Sequence, residues 1–319
     1  MRIRLPEPLD RLAQIQYGVL SAAQAQQAGM SAAAVRSCLR TGSWQVIHRG
    51  VYATFSGKPA REAVLWAALL RAGPEALLSH YTAAELHGLT DTPAHAIHVT
   101  IPDSRRIAPI RGVVLHLGSR GLMAAHPTAL PPRTKIEETV LDLAQIAGSA
   151  EDGCAWVARS LGRALTTQGR LMDALNQRPR VHFRAELAEI LSPEWAGIHS
   201  ALEYRYVKWV EIPHGLPRGR HQARAVSAGK RVRRDVLYDK FRLIVELDGR
   251  AAHPGDTRWQ DIRRDNAALI DGLMTLRFGW DDLRFRPCVV ADQVYRALSR
   301  SGPVAARPCS AICPVMAVR

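Results

Sequence analysis

The stretch RVRRDVLYDKFRLIVELDG, residues 231–249, decides how the C-terminal third of this chain folds. It reads as two adjacent β-strands, and residues i and i+2 of a strand point to the same face. Glu246 and Asp248 therefore share one face, while the apolar residues alternating with them point toward a core. If the strand that carries Asp235 pairs alongside, three carboxylates converge, and such an oxygen cluster suits Mg²⁺ or Mn²⁺. The alternative is three solvated acids on the polar face of a half-buried strand.

A basic run precedes these acids. Residues 212–234 contain no acidic side chain but six arginines and one lysine. Arginines beside a carboxylate cluster suggest that a metal ion is held next to the phosphates of a polyanion. A solvated hairpin that is kept soluble by its charges is the alternative.

Three further residues extend the candidate site. His253, in the loop after the second strand, is a general acid or base, a donor to metal-bound water, or an incidental loop histidine. Ser200 and Glu203 form an S-x-x-E capping box, so Glu203 is either a helix cap or a fourth acid that faces the metal. Arg264 lies on a predicted helix and either reaches a phosphate or forms ion pairs on the helix surface.

The predicted order from residue 200 is a helix, strands near 222–226, 232–238 and 242–248, a helix over 258–270, a strand over 274–278 and a closing helix. The segment RRDVLYDKFRLIVELDGRAAH, followed by DIRRDNAALIDGLMTLRF, resembles the DUF559 family. That family is similar to the very-short-patch-repair endonucleases and belongs to the PD-(D/E)XK restriction-endonuclease-like fold.

This resemblance covers about the last third of the chain and implies roles for its residues. Asp235 and Glu246 would be the metal carboxylates, with the carbonyl of Leu247 as a backbone ligand. Asp248 stands where the wider superfamily has a lysine, which leaves open which group orients the attacking water. The resemblance implies a catalytic set of Asp235, Glu246, Asp248, His253 and Glu203.

Length, charge and cysteine content bound the class of protein. At 319 residues the chain has room for two or three domains, and a net charge of +14 attracts nucleic acid. Such arginine content also arises in GC-rich genomes. The five cysteines show no CxxC pair, which indicates reduced thiols, and no zinc site is expected at Cys309 and Cys313. Without an apolar leader or a transmembrane stretch, we expect a cytoplasmic protein that makes no membrane contact.

Residues 9–55 predict three helices followed by a β-hairpin, the order of a winged helix-turn-helix whose third helix enters the major groove. The elements V-R-x-x-L-R-x-G and W-x-x-I-H-R-G-V-Y-A resemble the N-terminal domain of AbiEi-type antitoxins of type IV toxin–antitoxin systems. The resemblance implies DNA binding and a cognate toxin. A helix–wing module used only for packing or protein contact is the alternative.

The residues predicted to contact DNA are arginines from both ends of the chain: Arg36, Arg40, Arg49, Arg231, Arg233, Arg234 and Arg264. His48, beside Arg49 in the hairpin, is a further candidate. The exposed alanines of the third helix offer no hydrogen bonds, so base recognition by that helix alone would be weak.

Residues 60–190 predict helices and two strands that flank the basic turn DSRR, and SHYTAAELHGL…HVTIPDSRR is similar to the middle domain of AbiEi-like proteins. The histidines of this region match no standard metal spacing. We therefore expect an α+β multidomain protein. Its parts would be a winged helix-turn-helix (1–56), a mixed α/β middle domain (57–190), a restriction-endonuclease-like α/β domain (191–300) and a flexible tail (301–319).

The first functional hypothesis is a Mg²⁺-dependent DNA endonuclease with an attached DNA-binding module. The second is a non-catalytic regulator that resembles the antitoxin and retains a degenerate nuclease domain. A third is a protein that neutralises a separately encoded toxin. The sequence leaves open the form of nucleic acid, any recognition sequence and the oligomeric state.

Overall fold

The chain divides into two units, Met1–Ile146 and Ala147–Arg319, each of which combines helices with small sheets. A computed structural model describes residues 5–192, 200–227, 230–248, 263 and 266–315. The α+β, multi-unit prediction is therefore confirmed. Among the described residues, no helix has the length and apolarity needed to cross a membrane.

The first unit begins with a small helical module closed by a three-stranded sheet. Its elements are α1 (Glu7–Ile15), β1 (Val19–Ser21), α2 (Ala22–Gln27), α3 (Ala32–Arg40), β2 (Gln45–His48) and β3 (Val51–Ala53), with strand order β1-β3-β2. The Ser21 and Ser31 side chains cap α2 and α3 as predicted, by accepting N–H groups of the first turn. The three helices and the hairpin lie where the sequence places them, and β1 is an addition.

The rest of the first unit packs around one apolar helix. Its elements are α4 (Arg61–Ala72), β4 (Leu77–Leu78), α5 (His80–Leu86), β5 (Ile97–Pro102), β6 (Val113–Gly118), a 3₁₀ turn (Gly121–Ala124) and α6 (Ile136–Gln145). Buried residues of α4 form one core with apolar residues of both sheets. Strands β5 and β6 pair in parallel, so the basic turn does not close a hairpin. Arg105 instead donates to the carbonyls of Ala72 and Pro74 at the end of α4.

The second unit begins with helices and ends in a mixed sheet. Its helical elements are α7 (Ala150–Gly162), α8 (Gln168–Asn176), α9 (Arg184–Ile190), α10 (Ala201–Tyr206), a π-helical turn (Val207–Glu211), α11 (Ile212–His214), α12 (Trp280–Phe285) and α13 (Pro287–Ser299). Its strands are β7 (Arg220–Ser227), β8 (Lys230–Tyr238), β9 (Leu243–Asp248) and β10 (Met274–Gly279). Residues 266–270 are helical. The element order predicted from residue 200 is confirmed within the described residues.

The four-stranded sheet has the order β10-β9-β8-β7. Strand β8 pairs antiparallel with β7 and β9, while β10 is parallel to β9. Leu243, Val245 and Leu247 belong to the main core of the unit, as the period-2 pattern predicts. Ile244 joins a smaller apolar cluster with Leu237 and residues of β7 and the 266–270 helix. Glu246 alternates with the core residues and so shares the face of Ile244.

Two features of the second unit differ from the predicted domain limits. The limit near residue 190 falls inside this unit, because Glu151 of α7 pairs with Arg205 and accepts the indole N–H of Trp209. The C-terminal segment, predicted as a flexible tail, packs onto the core: Cys313 and Val315 are buried. Burial of apolar side chains holds this segment in place.

A buried carboxylate, Glu211, organises the start of the sheet. Its Oε1 accepts the Tyr238 hydroxyl at 2.7 Å and the Gly219 N–H at 2.9 Å. The Tyr206 and Tyr238 hydroxyl oxygens lie 2.8 Å apart, so Tyr206 donates to the oxygen of Tyr238. Burial raises the pKa of both tyrosines. This network ties the π-helical turn to β8.

Candidate functional site

A cleft in the second unit brings together two of the predicted acidic residues. It has a volume of about 520 Å³, and its lining includes Glu203 from α10 and Asp235 from β8, with Gln222 of β7 and Leu247 of β9 between them. The cleft opens where β8 and β9 diverge, beyond the paired residues Val236 and Val245. Strand divergence thus exposes backbone and side-chain polar groups at this end of the sheet.

Asp235 holds this divergence through its own side chain. Its Oδ2 accepts the N–H of Leu247 at 2.8 Å, so the carboxylate takes the place of a backbone acceptor in the ladder. The predicted closeness of Asp235 to the second strand is therefore present. The side chain of Asp248 lies outside the described residues, although its backbone pairs with Gly279 in β10.

Glu246 forms a buried ion pair with an arginine of the neighbouring strand. Arg234 Nη1 lies 3.1 Å from Glu246 Oε1, and the two side chains are 2% and 13% exposed. Burial raises the pKa of the Glu246 carboxyl, and the nearby charge of Asp235 raises it further. Arg234 and Arg277 oppose that rise. The phosphate-contact role predicted for Arg234 is wrong, because its guanidinium is buried and neutralises Glu246.

Glu203 contributes a buried carboxylate to the same cleft. Its backbone N–H donates to the Ser200 hydroxyl, so the predicted helix cap is present. Its carboxylate Oε1 also accepts the Gln222 amide at 2.5 Å. Gln222 adopts φ 49°, a left-handed conformation that is costly for a residue with a side chain. Such strain collects at functional sites, and the sequence gave no signal for Gln222.

Arginines surround the acidic floor of the cleft. Arg159 and Arg163 come from α7, and Arg233 comes from β8, two residues before Asp235 on the same face. Arg233 also lies directly opposite Arg224 in the β7–β8 ladder, and both are exposed. Like charges placed opposite each other destabilise a sheet, and a bound anion relieves that repulsion. The α7 arginines were missed, because a helix forty residues away carries no local signal of a shared site.

The donor types in the cleft fit a divalent cation in part. Glu203 and Asp235 supply the carboxylate oxygens that Mg²⁺ or Mn²⁺ prefers. Glu246 fits only after exchange, since Arg234 already neutralises it. The convergence of three carboxylates predicted from the sequence is thus present as two acids in the cleft and a third held by an arginine.

The remaining predicted residues are distributed as follows. Arg231 is exposed near the start of β8, away from the residues that line the cleft. His253 and Arg264 lie outside the described residues. The backbone ligand expected from Leu247 stays a prediction, although this residue lines the cleft.

A histidine group in the first unit forms although its sequence spacing matches no motif. One ring nitrogen from each of His80, His98 and His116 lies within 4.8 Å of the others. His98 Nδ1 and His116 Nε2 share a hydrogen bond of 2.9 Å, and His116 stacks on His80 with 3.6 Å between ring centroids. Burial lowers the pKa of His116 to about 4, with a further contribution from His98. These rings mainly engage one another.

The N-terminal module presents a basic helix face. Val35 and Cys38 of α3 are buried in the module core, while Arg36 and Arg40 are exposed one helical turn apart. Arg49, at the β2–β3 turn, is also exposed. His48 is partly buried, and burial lowers its pKa, so a neutral imidazole is a poor phosphate contact.

The model of the family described as transcriptional regulator, AbiEi antitoxin, matches residues 7–54. This match covers the three helices and the three-stranded sheet. It supports a DNA-binding regulatory role and a toxin–antitoxin context for the region that carries the exposed arginines. A search of curated proteins found no match to the chain.

Proposed function

We propose that the protein is a DNA-binding transcriptional regulator of the antitoxin type, which binds DNA through a winged helix-turn-helix formed by residues 7–54. The observation that carries the proposal is the family match over the same residues that present exposed arginines on α3. Helix α3 would enter the major groove, and the β2–β3 turn would follow the backbone. A cognate toxin, as the resemblance implies, is part of this proposal.

The chemistry of α3 defines what kind of recognition it supports. Arg36 and Arg40 can each hold a phosphate or the acceptor edge of a guanine. The exposed Ala32 and Ala33 provide no hydrogen bonds, so the helix would approach the groove closely and read little sequence. Specificity would then depend on Arg49 at the wing and on the shape of the DNA.

Fluorescence anisotropy with duplex DNA from upstream of the gene tests this function. We expect Arg36→Ala and Arg40→Ala each to weaken binding and to reduce the magnitude of the salt slope by about one. Arg11→Ala is the matched control, because Arg11 is equally exposed on α1 but pairs with Glu7. Unchanged affinity in the Arg36→Ala/Arg40→Ala double variant would remove α3 as the DNA-contacting element.

A second candidate function, a metal-dependent DNA endonuclease, is favoured by the acidic cleft with its arginine rim. Asp235 and Glu203 would hold a Mg²⁺ or Mn²⁺ ion, which when bound supplies an activated water and stabilises charge on the phosphate. Arg159, Arg163 and Arg233 would position the phosphate backbone. The ion pair between Arg234 and Glu246 weighs against this candidate, because it occupies a carboxylate that the DUF559 resemblance assigns to the metal.

Cleavage of plasmid, nicked duplex, single-stranded DNA and RNA with Mg²⁺ or Mn²⁺ tests this candidate. Asp235→Asn should abolish any cleavage, whereas Asp239→Asn should leave it unchanged, since Asp239 is exposed and pairs with Arg220. Cleavage that survives Asp235→Asn would arise outside this cleft. Intact substrate with every metal would leave the regulator as the function of the chain.

A further inference from the structure

Four metal-ligating side chains that are distant in sequence meet at the C-terminal end of the second unit. His214 ends α11, Cys288 lies in the first turn of α13, and Cys309 and Cys313 follow in the C-terminal segment. The imidazole and the three thiols each place a ligand atom within 4.8 Å of all the others. Three sulfurs and one nitrogen make up one of the standard ligand sets of structural zinc.

His214 is oriented as a metal ligand would be. The residue is fully buried, and its Nδ1 lies 2.9 Å from the carbonyl oxygen of Val210. A carbonyl only accepts hydrogen bonds, so Nδ1 carries the proton and Nε2 keeps its lone pair. That Nε2 is buried and lacks a hydrogen-bond partner among the described residues. A histidine that donates its other ring N–H to a backbone carbonyl is the usual arrangement at zinc.

The spacing of the sulfurs suits a tetrahedral ion better than a disulfide. Cys288 Sγ and Cys309 Sγ are 3.4 Å apart. Two sulfurs that each lie about 2.3 Å from a tetrahedral zinc are separated by roughly 3.8 Å, so small side-chain adjustments accommodate the ion. A disulfide needs about 2.05 Å and would leave the thiol of Cys313 over. All three cysteines are free thiols here.

The backbone around these residues holds the C-terminal segment beside His214. The N–H of Arg307 donates to the carbonyl of His214 at 2.8 Å, and the N–H of Cys313 closes a turn with the carbonyl of Ser310 at 3.1 Å. Cys313 itself is buried in the main core, together with Val315. The segment therefore carries its thiols to one fixed place, which a loose tail would not do.

We propose that His214, Cys288, Cys309 and Cys313 bind a structural Zn²⁺ ion that fastens the C-terminal segment onto the second unit. Four protein ligands leave no open position, so the site is structural rather than catalytic. Three thiols release their protons to solvent as the ion binds, and no redox change takes place. The site is independent of the DNA-binding function proposed for residues 7–54.

Metal content of the purified full chain tests the proposal. Inductively coupled plasma mass spectrometry should find one zinc ion per chain, and X-ray absorption should show three sulfur ligands and one nitrogen. Cys309→Ser is the informative variant, because Cys309 is exposed and its replacement leaves the core packing unchanged. Cys154→Ser is the matched control, since Cys154 is a thiol of the same unit on α7, away from the cluster.

We expect Cys309→Ser to lower zinc affinity at least about 10-fold and Cys154→Ser to leave it unchanged. Absence of zinc from protein purified in its presence would overturn the proposal. So would a disulfide between Cys288 and Cys309 in protein purified under reducing conditions, or full zinc retention in Cys309→Ser. Zinc bound only by nitrogen would assign the metal to the histidine group of the first unit, and the proposed site would be wrong.

Discussion

Replacing Arg234 with methionine would leave the Glu246 carboxylate buried without its counter-ion. The two side chains are 2% and 13% exposed, so solvent replaces little of the lost interaction. Breaking a buried pair by removing one partner costs about 3–5 kcal/mol, and the partial exposure of Glu246 places this case near the lower end, about 3 kcal/mol. Glu246→Gln should cost a similar amount, because the guanidinium then stays buried and unpaired.

The double variant Arg234→Met/Glu246→Gln removes both charges and should be far less unstable than the sum of the two losses. We expect a coupling energy of about 2–3 kcal/mol. Hydrogen–deuterium exchange of peptides from residues 230–248 measures the local opening free energy of this sheet, so unfolding of the first unit does not enter the value.

Arg220→Met is the control for this cycle, because the ion pair of Arg220 with Asp239 is 53% and 58% exposed. Its loss should change the opening free energy by about 0.5 kcal/mol or less. Additive effects of Arg234→Met and Glu246→Gln, within about 0.5 kcal/mol, would show that the two charges do not stabilise each other. The assignment of Glu246 as a neutralised carboxylate would then fail.

Two further predictions concern buried polar groups. Tyr238→Phe removes a hydroxyl donated to Glu211 and should cost about 2 kcal/mol in urea unfolding, whereas Tyr206→Phe, which loses only its bond to Tyr238, should cost about 1 kcal/mol; a larger loss in Tyr206→Phe would contradict the network. The pKa of His116 is about 4 in the fold against 6.5 ordinarily, so its contribution to stability is complete above pH 6.5 and declines as the pH falls toward 4. Melting temperature against pH should fall less steeply over this window in His116→Phe, and parallel curves would refute the assignment.

Local patterns predicted the secondary structure of this chain better than its long-range contacts. The alternation of β9, the serine caps of α2 and α3 and the order of elements after residue 200 follow from side-chain period and capping chemistry. The parallel pairing of β5 and β6 does not, because a turn sequence does not specify whether the chain reverses direction. The burial of Arg234 was readable in principle, since it shares its strand face with Val236 and Tyr238.

The candidate sites depend on contacts between distant residues. Glu203, Asp235 and Arg159 reach one cleft from three elements, and only the acid of β8 stood in a recognisable pattern. The cysteines gave no signal because Cys288 is 21 residues from Cys309, and their histidine partner is 74 residues from Cys288. Metal spacing motifs detect ligands on one turn or hairpin, whereas this set is assembled by packing of the C-terminal segment.

Run-off transcription from the promoter upstream of the gene measures the proposed regulatory function most directly. Added wild-type protein should reduce the transcript in proportion to promoter occupancy, and the Arg36→Ala/Arg40→Ala variant should restore it while Arg11→Ala represses like the wild type. Equal repression by the wild type and the double variant, or no repression at concentrations that saturate binding, would contradict the assignment of α3 as the element that regulates transcription.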